Sequence, residues 1–141
     1  MDAASIHIQR RIEWSDTDAS GYYHNTAAFR MVEMAETAMF ERLGLLESVY
    51  GRLPRVHIEA DFRASLRHRD LVDVHLWVAA IGRSSITYGF RMERDGDVAV
   101  EGSAVAALLD GATRRPAPWP PEARERLLSG GPQPSELLVT T

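Results

Sequence analysis

The chain contains no cysteine, which excludes a disulfide framework, thiol catalysis and any cysteine-based zinc site. Long apolar runs are missing too. No stretch approaches the roughly 20 consecutive apolar residues of a membrane-spanning helix, and Met1 to Arg11 lacks the apolar block of a signal peptide. Basic charge is not in excess: 16 Lys and Arg face 20 Asp and Glu, a formal net charge of -4, so the chain has no general electrostatic footprint for nucleic acid. There is no phosphate-cradling glycine loop and no serine nucleophile elbow, and His57, His68 and His75 lack the paired spacing of a zinc site. From these lacks we expect a cytoplasmic protein with no nucleic-acid partner, no membrane partner and no metal.

What is present is enough for one packed domain: 141 residues, 45% of them hydrophobic. Ile6, Ile8, Ile12 and Trp14 alternate with polar residues, which predicts a first strand over residues 6–14. A long helix is expected from about Thr26 to Leu43. At about 100° per residue, Ala28, Met31, Val32, Ala35, Ala38, Met39 and Leu43 fall on one broad face and Arg30, Glu33, Thr37 and Glu41 on a narrow opposite stripe. Gly44 supplies a stop signal, and Glu36 interrupts the edge of the apolar face.

Four more alternating stretches follow, around Val56 to Arg63, Val72 to Ala80, Ile86 to Met92 and Val98 to Leu109. Asp95-Gly96 joins the last two as a hairpin, because a two-residue type I′ turn needs positive φ at both positions. Residues 45–54 read as a connector and 116–121 as a proline-rich one, before a short helix over Glu122 to Leu128. The fold class is therefore α+β, one long helix laid across a mostly antiparallel sheet. We expect residues 1–129 to form the domain and 130–141 a flexible tail. A single helix leaves one sheet face and the edge strands uncovered, so self-association is expected, with Trp77 fitting an interface.

The stretch Ser15-Asp16-Thr17-Asp18-Ala19-Ser20-Gly21-Tyr22-Tyr23-His24-Asn25 carries the chemistry. It sets two carboxylates, two tyrosines, a histidine and an asparagine in a turn that feeds a helix N-terminus, where unpaired N–H groups favour developing negative charge. Asp18 can attack an activated carbonyl or deprotonate a water that does, while the backbone N–H at Asn25 holds the carbonyl oxygen as it becomes an oxyanion. Asp and Ser before a helix are also ordinary caps and turn formers, and residue chemistry alone does not separate the two readings. Asp16 either holds the turn or tunes Asp18, and Asn25 serves through its backbone or as a cap. His24 is a proton relay or a capping residue. Tyr22 and Tyr23 line a pocket or pack in the core. Glu33 lies on the solvated stripe, where it meets water or a partner chain, and Glu36 is a second candidate carboxylate that needs a partner if buried. Arg63, Arg67, His68 and Arg69 form a local basic cluster suited to phosphates, and Ser84 and Ser85 are small enough to admit a slender substrate arm.

The run Trp14-Ser15-Asp16-Thr17-Asp18-Ala19-Ser20-Gly21, the apolar helix after it, and Ala60-Asp61-Phe62-Arg63-Ala64-Ser65-Leu66-Arg67-His68-Arg69-Asp70 resemble the 4-hydroxybenzoyl-CoA thioesterase branch of the hotdog-fold superfamily over roughly residues 6–128. The resemblance implies a single hotdog domain, an antiparallel sheet wrapped around one central helix. It implies hydrolysis of an acyl-CoA or acyl-carrier thioester, Asp18 as nucleophile or general base, and the Asn25 N–H as oxyanion donor. Tyr23, His24 and Glu33 are the candidate substrate contacts. It further implies no cofactor and a homodimer or homotetramer with sites at the subunit interface. Many relatives carry tyrosine-histidine where this chain has His24-Asn25, and a proline where it has Ser65. The alternatives are a hotdog dehydratase centred on His24, a thioesterase for carrier-bound polyketides, and a non-catalytic acyl-CoA-binding module.

Overall fold

The computed structural model describes residues 2–135. Five strands, β1 (Ser5–Arg11), β2 (Arg55–Phe62), β3 (Leu71–Ile81), β4 (Ser85–Arg94) and β5 (Asp97–Ala107), form one antiparallel sheet in the order β1-β3-β4-β5-β2. Helix α1 (Asn25–Arg42) lies across one face, with a short α2 (Leu46–Val49) after it and α3 (Pro121–Ser129) at the end of the chain. Strand alternation sends Ile6, Ile8, Val72, Val74, Leu76, Ile86, Tyr88, Phe90 and Met92 into a single core, where they meet Ala28, Met31, Val32, Ala35, Met39 and Phe40 of α1.

The β4–β5 hairpin turns at Asp95 (φ 53°) and Gly96 (φ 84°), both in the left-handed region the two-residue turn demands. Helix α1 ends as its sequence anticipates. Gly44 takes φ 73°, the Gly44 N–H reaches the Glu41 carbonyl at 3.0 Å and the Leu45 N–H reaches Phe40 at 2.9 Å, which satisfies two orphan carbonyls.

Three expectations need correction. The first strand stops at Arg11 rather than Trp14, because the Asp16 carboxylate takes the Glu13 N–H at 2.8 Å and folds Trp14–Asp16 into a 3₁₀ turn, leaving Trp14 78% exposed. The connector over 45–54 contains α2, a single turn too short to show a period. Strand β3 loses its alternation at Ala80, which a bulge between Val78 and Ala80 turns to the exposed side.

The helix is covered unevenly. Its main backbone contacts are with β1 and β3, and on edge strand β2 Val56 (61%) and Phe62 (45%) are exposed. Beyond α3, the Gly131 N–H reaches the Asp2 carbonyl at 2.9 Å and the Gln133 N–H reaches Ser5 at 2.8 Å, so the chain to Gln133 runs beside the start of β1. The rest of the expected tail, residues 136–141, lies outside the described residues.

Candidate active site

Asp16 builds the loop that precedes α1. Besides holding Glu13, its carboxylate pairs with Arg30 of α1 at 2.9 Å, and its carbonyl accepts the His24 N–H at 2.6 Å. These bonds assign Asp16 to the turn. Thr17 then pairs with Tyr23, the Asp18 N–H donates to Tyr22 at 3.1 Å, and Gly21 closes the hairpin at φ 84°. The Tyr23 N–H reaches the Leu66 carbonyl at 2.9 Å, which staples the loop to the segment after β2.

Asp18 sits at the head of this hairpin and is fully exposed. Its Oδ1 accepts the Ser20 hydroxyl at 2.6 Å and the Ser20 N–H at 2.8 Å. Those two bonds favour the charged form and hold its carboxyl below the ordinary 3.8. At neutral pH it is a carboxylate.

His24, not Asn25, is the N-cap of α1. It is extended (φ -77°, ψ 143°), and its Nδ1 accepts the Thr26 N–H at 3.1 Å. Asn25 is therefore the first helical residue, and among the described residues its own N–H meets no acceptor. An 18-residue helix thus presents a free donor at its positive end.

Asn25 also lines a cleft of about 350 Å³, together with Ser20, Tyr22, Tyr23, Phe62 and Arg63 among others. Tyr23 packs against Phe62 (6.3 Å between ring centroids), and its buried hydroxyl lacks a partner among the described residues, burial pushing it up to about 12. Asp18 adjoins the cleft through Ser20 without lining it. Arg67 stacks on the Tyr22 ring at 5.2 Å and Arg63 is paired with Glu101 at 2.6 Å, so two members of the basic cluster stand beside the cleft. Ser84 and Ser85 do not: their carbonyls accept from the Leu108 N–H and the Trp119 indole. Glu33 lies along the helix on a different cavity, which it shares with Glu36. Among the described residues no cluster of three or more His, Asp or Glu is arranged to hold a metal ion, and no helix is long and apolar enough to cross a membrane.

Sequence comparison decides the family. The profile of the thioesterase-like superfamily matches residues 12–127, a span that contains the loop, the helix and the whole sheet except β1. The chain belongs to the thioesterase-like superfamily. This thioesterase-like chain is 25% identical over 130 residues to the 1,4-dihydroxy-2-naphthoyl-CoA hydrolase of Synechococcus elongatus, covering 88% of the present chain and 96% of that one. Among solved structures it is similar to a thioesterase from Thermus thermophilus complexed with coenzyme A and Zn, at 28% identity and a TM-score of 0.77, covering 86% and 90% of the two chains. A predicted thioesterase from Bacillus stearothermophilus superposes with a TM-score of 0.82 at 23% identity, over 93% of this chain and 99% of that one, a likeness of fold. The sheet and central helix are thus those of the hotdog fold, and by class the protein is a thioester hydrolase.

The residue whose place sequence reasoning missed is Ser20. Its position two residues after Asp18 is the spacing of a side-chain-to-backbone turn, a signal that was readable.

Proposed function

We propose that this protein hydrolyses acyl-CoA thioesters, with Asp18 as nucleophile or general base and the Asn25 backbone N–H as the oxyanion donor. The observation that carries the reading is an Asn25 N–H with no acceptor among the described residues, at the head of an 18-residue helix and on a residue that lines a cleft beside an ionised carboxylate. In the nucleophilic route an Asp18 oxygen adds to the thioester carbon, the carbonyl oxygen becomes an oxyanion against Asn25, and the C–S bond breaks to release coenzyme A thiolate. Water then hydrolyses the anhydride and restores the carboxylate. In the base route Asp18 takes a proton from the water that adds directly. Both routes need the same two groups. The 1,4-dihydroxy-2-naphthoyl-CoA hydrolase relative and the coenzyme A complex support a coenzyme A thioester as substrate.

In this reading Tyr23 lines the acyl side of the cleft, His24 offers its Nε2 toward the substrate while Nδ1 caps the helix, and Arg63 and Arg67 meet the coenzyme A phosphates. A carboxylate as exposed as Asp18 is a weak base, and covering it strengthens it. The unpaired edge of β2 and its exposed Val56 and Phe62 supply a surface for a second copy, so a homodimer that covers the cleft completes the site.

A thiol-release assay across an acyl-CoA panel tests the proposal. Asp18→Asn and Asp18→Ala should each lower kcat/KM by about 10²-fold or more, with the melting temperature unchanged. Full activity in both folded variants would remove Asp18 from the mechanism.

A further inference from the structure

A second cavity, of about 390 Å³, lies at the other end of the same helix face. Phe29, Glu33, Glu36, Thr37 and Phe40 recur at helical spacing, so they share one stripe of α1. That stripe touches β2 twice: Phe29 meets Phe62 at 6.3 Å between ring centroids, and Glu36 meets Arg55. Between these ties Ile58 and Ala60 of β2 are only half-buried and rest against the core. The two cavities therefore lie at the two ends of one stripe of α1, with β2 alongside the interval between them.

The second cavity has a polar wall built on Glu36 and Arg55. The Glu36 side chain keeps 12% of its exposure and Arg55 23%. Both Glu36 oxygens face guanidinium nitrogens at 3.4 Å, well beyond the roughly 2.7–2.9 Å of a tight charge-assisted pair. Burial pushes the Glu36 carboxyl up in spite of Arg55. Beside it the Tyr88 hydroxyl is fully buried with no partner in hydrogen-bonding geometry. The remaining walls include Phe40, Val49 and Leu53. Buried polar groups left this loose are costly unless a ligand completes them.

We propose that the Glu36–Arg55 pair is a specificity site for the acyl group, selecting chains that carry a hydroxyl at the end remote from the thioester. This rests on the hydrolase reading above. The hydroxyl donates to a Glu36 oxygen and accepts from Arg55, replacing the water that the acyl group displaces, whereas a plain methyl end strips the pair of water and returns nothing. The rise of α1 puts Glu36 about 16 Å along the axis from Asn25, a span that one benzene ring does not bridge. The favoured substrate is thus a long hydroxyacyl thioester.

The test uses length-matched acyl-CoA pairs with and without a terminal hydroxyl, and titration calorimetry with the corresponding free acids. The wild type should favour the hydroxylated member by about 10-fold or more in kcat/KM. Replacing the pair together, Glu36→Leu with Arg55→Met, should leave the fold stable, since a buried ion pair exchanged for apolar groups of like volume is often neutral, and should turn the preference toward the plain chain. Glu36→Gln, which keeps shape and one acceptor, should reduce the preference several-fold and decides the matter if the double variant does not fold. Equal rates for the two members in the wild type, or a preference unchanged by either variant, overturns the proposal. If no thioester is cleaved the hydrolase reading fails instead. The titrations then decide: tighter binding of the hydroxy acid, lost in the variants, supports the specificity site, and equal binding overturns it.

Discussion

Replacing Asn25 with proline separates the helix from the proposed oxyanion donor. Proline lacks the backbone N–H and fixes φ near -65°, so inside a helix it is ruinous, yet at the first helical position it is favoured because the N–H there has no intrahelical partner. Asn25 holds that position. The residue before a proline must be extended, with ψ of about 120–160°, and His24 already sits at φ -77° and ψ 143°. Among the described residues the Asn25 N–H has no acceptor to lose, and the residue is exposed. Asn25→Pro should therefore fold, with a melting temperature within about 2–4 °C of the parent, the shift expected for roughly 1 kcal/mol in a domain of this size. Its kcat should fall by about 10²–10³-fold, the 2.7–4 kcal/mol typical of deleting one oxyanion donor, while coenzyme A binding measured by calorimetry stays close to wild type. Asn25→Ala keeps the N–H and should lose less than about 10-fold. A proline variant as active as the parent would refute the oxyanion assignment, and an alanine variant as slow as the proline one would move the role to the side chain.

Three further outcomes follow from the geometry. His24→Ala removes the cap on Thr26 and should cost about 0.5–2 kcal/mol in urea denaturation, with kcat falling far less than in Asn25→Pro. Gly102→Ala puts a Cβ 2.1 Å from the Glu59 carbonyl oxygen and 2.9 Å from the Ala60 Cα, so β2 must move away from β5 and stability should drop by about 1–3 kcal/mol. On the outer sheet face His7 stacks on His75 at 4.4 Å, with Asp73, Arg91 and Glu93 around them. Burial and the charge of His7 hold the His75 imidazole below 6.5, so the unfolded chain binds its proton first, and urea midpoints should fall as pH drops through 6.5 in the wild type and fall less in His75→Gln.

The elements were legible because each carries its own period. Ile86, Tyr88, Phe90 and Met92 announce a strand facing a core, and the Asp95-Gly96 pair announces its turn. Trp14 misled because it continues the alternation of Ile6, Ile8 and Ile12, while the competing bond from Glu13 to Asp16 leaves no hydrophobic trace. The order of strands was not readable at all. Pairing β2 with β5 joins Phe62 to Val100 across a long stretch of chain, and nothing in either strand alone names its partner.

The site divides in the same way. Asp16 takes the Glu13 N–H and His24 the Thr26 N–H, and their roles as turn former and cap follow from that local chemistry. Glu36 interrupts an apolar face, and burial without a partner is forbidding, so a cation had to come from elsewhere. That cation is Arg55, which the sequence leaves looking like an ordinary polar start to a strand. Its partnership with Glu36 exists only because β2 returns along α1 in the opposite direction, Phe62 beside Phe29 and Arg55 beside Glu36. The same reversal sets two cavities on one line. One is lined by Asn25 and the other holds a loosely paired carboxylate, so under the proposed mechanism the choice of thioester is made at a distance from its cleavage.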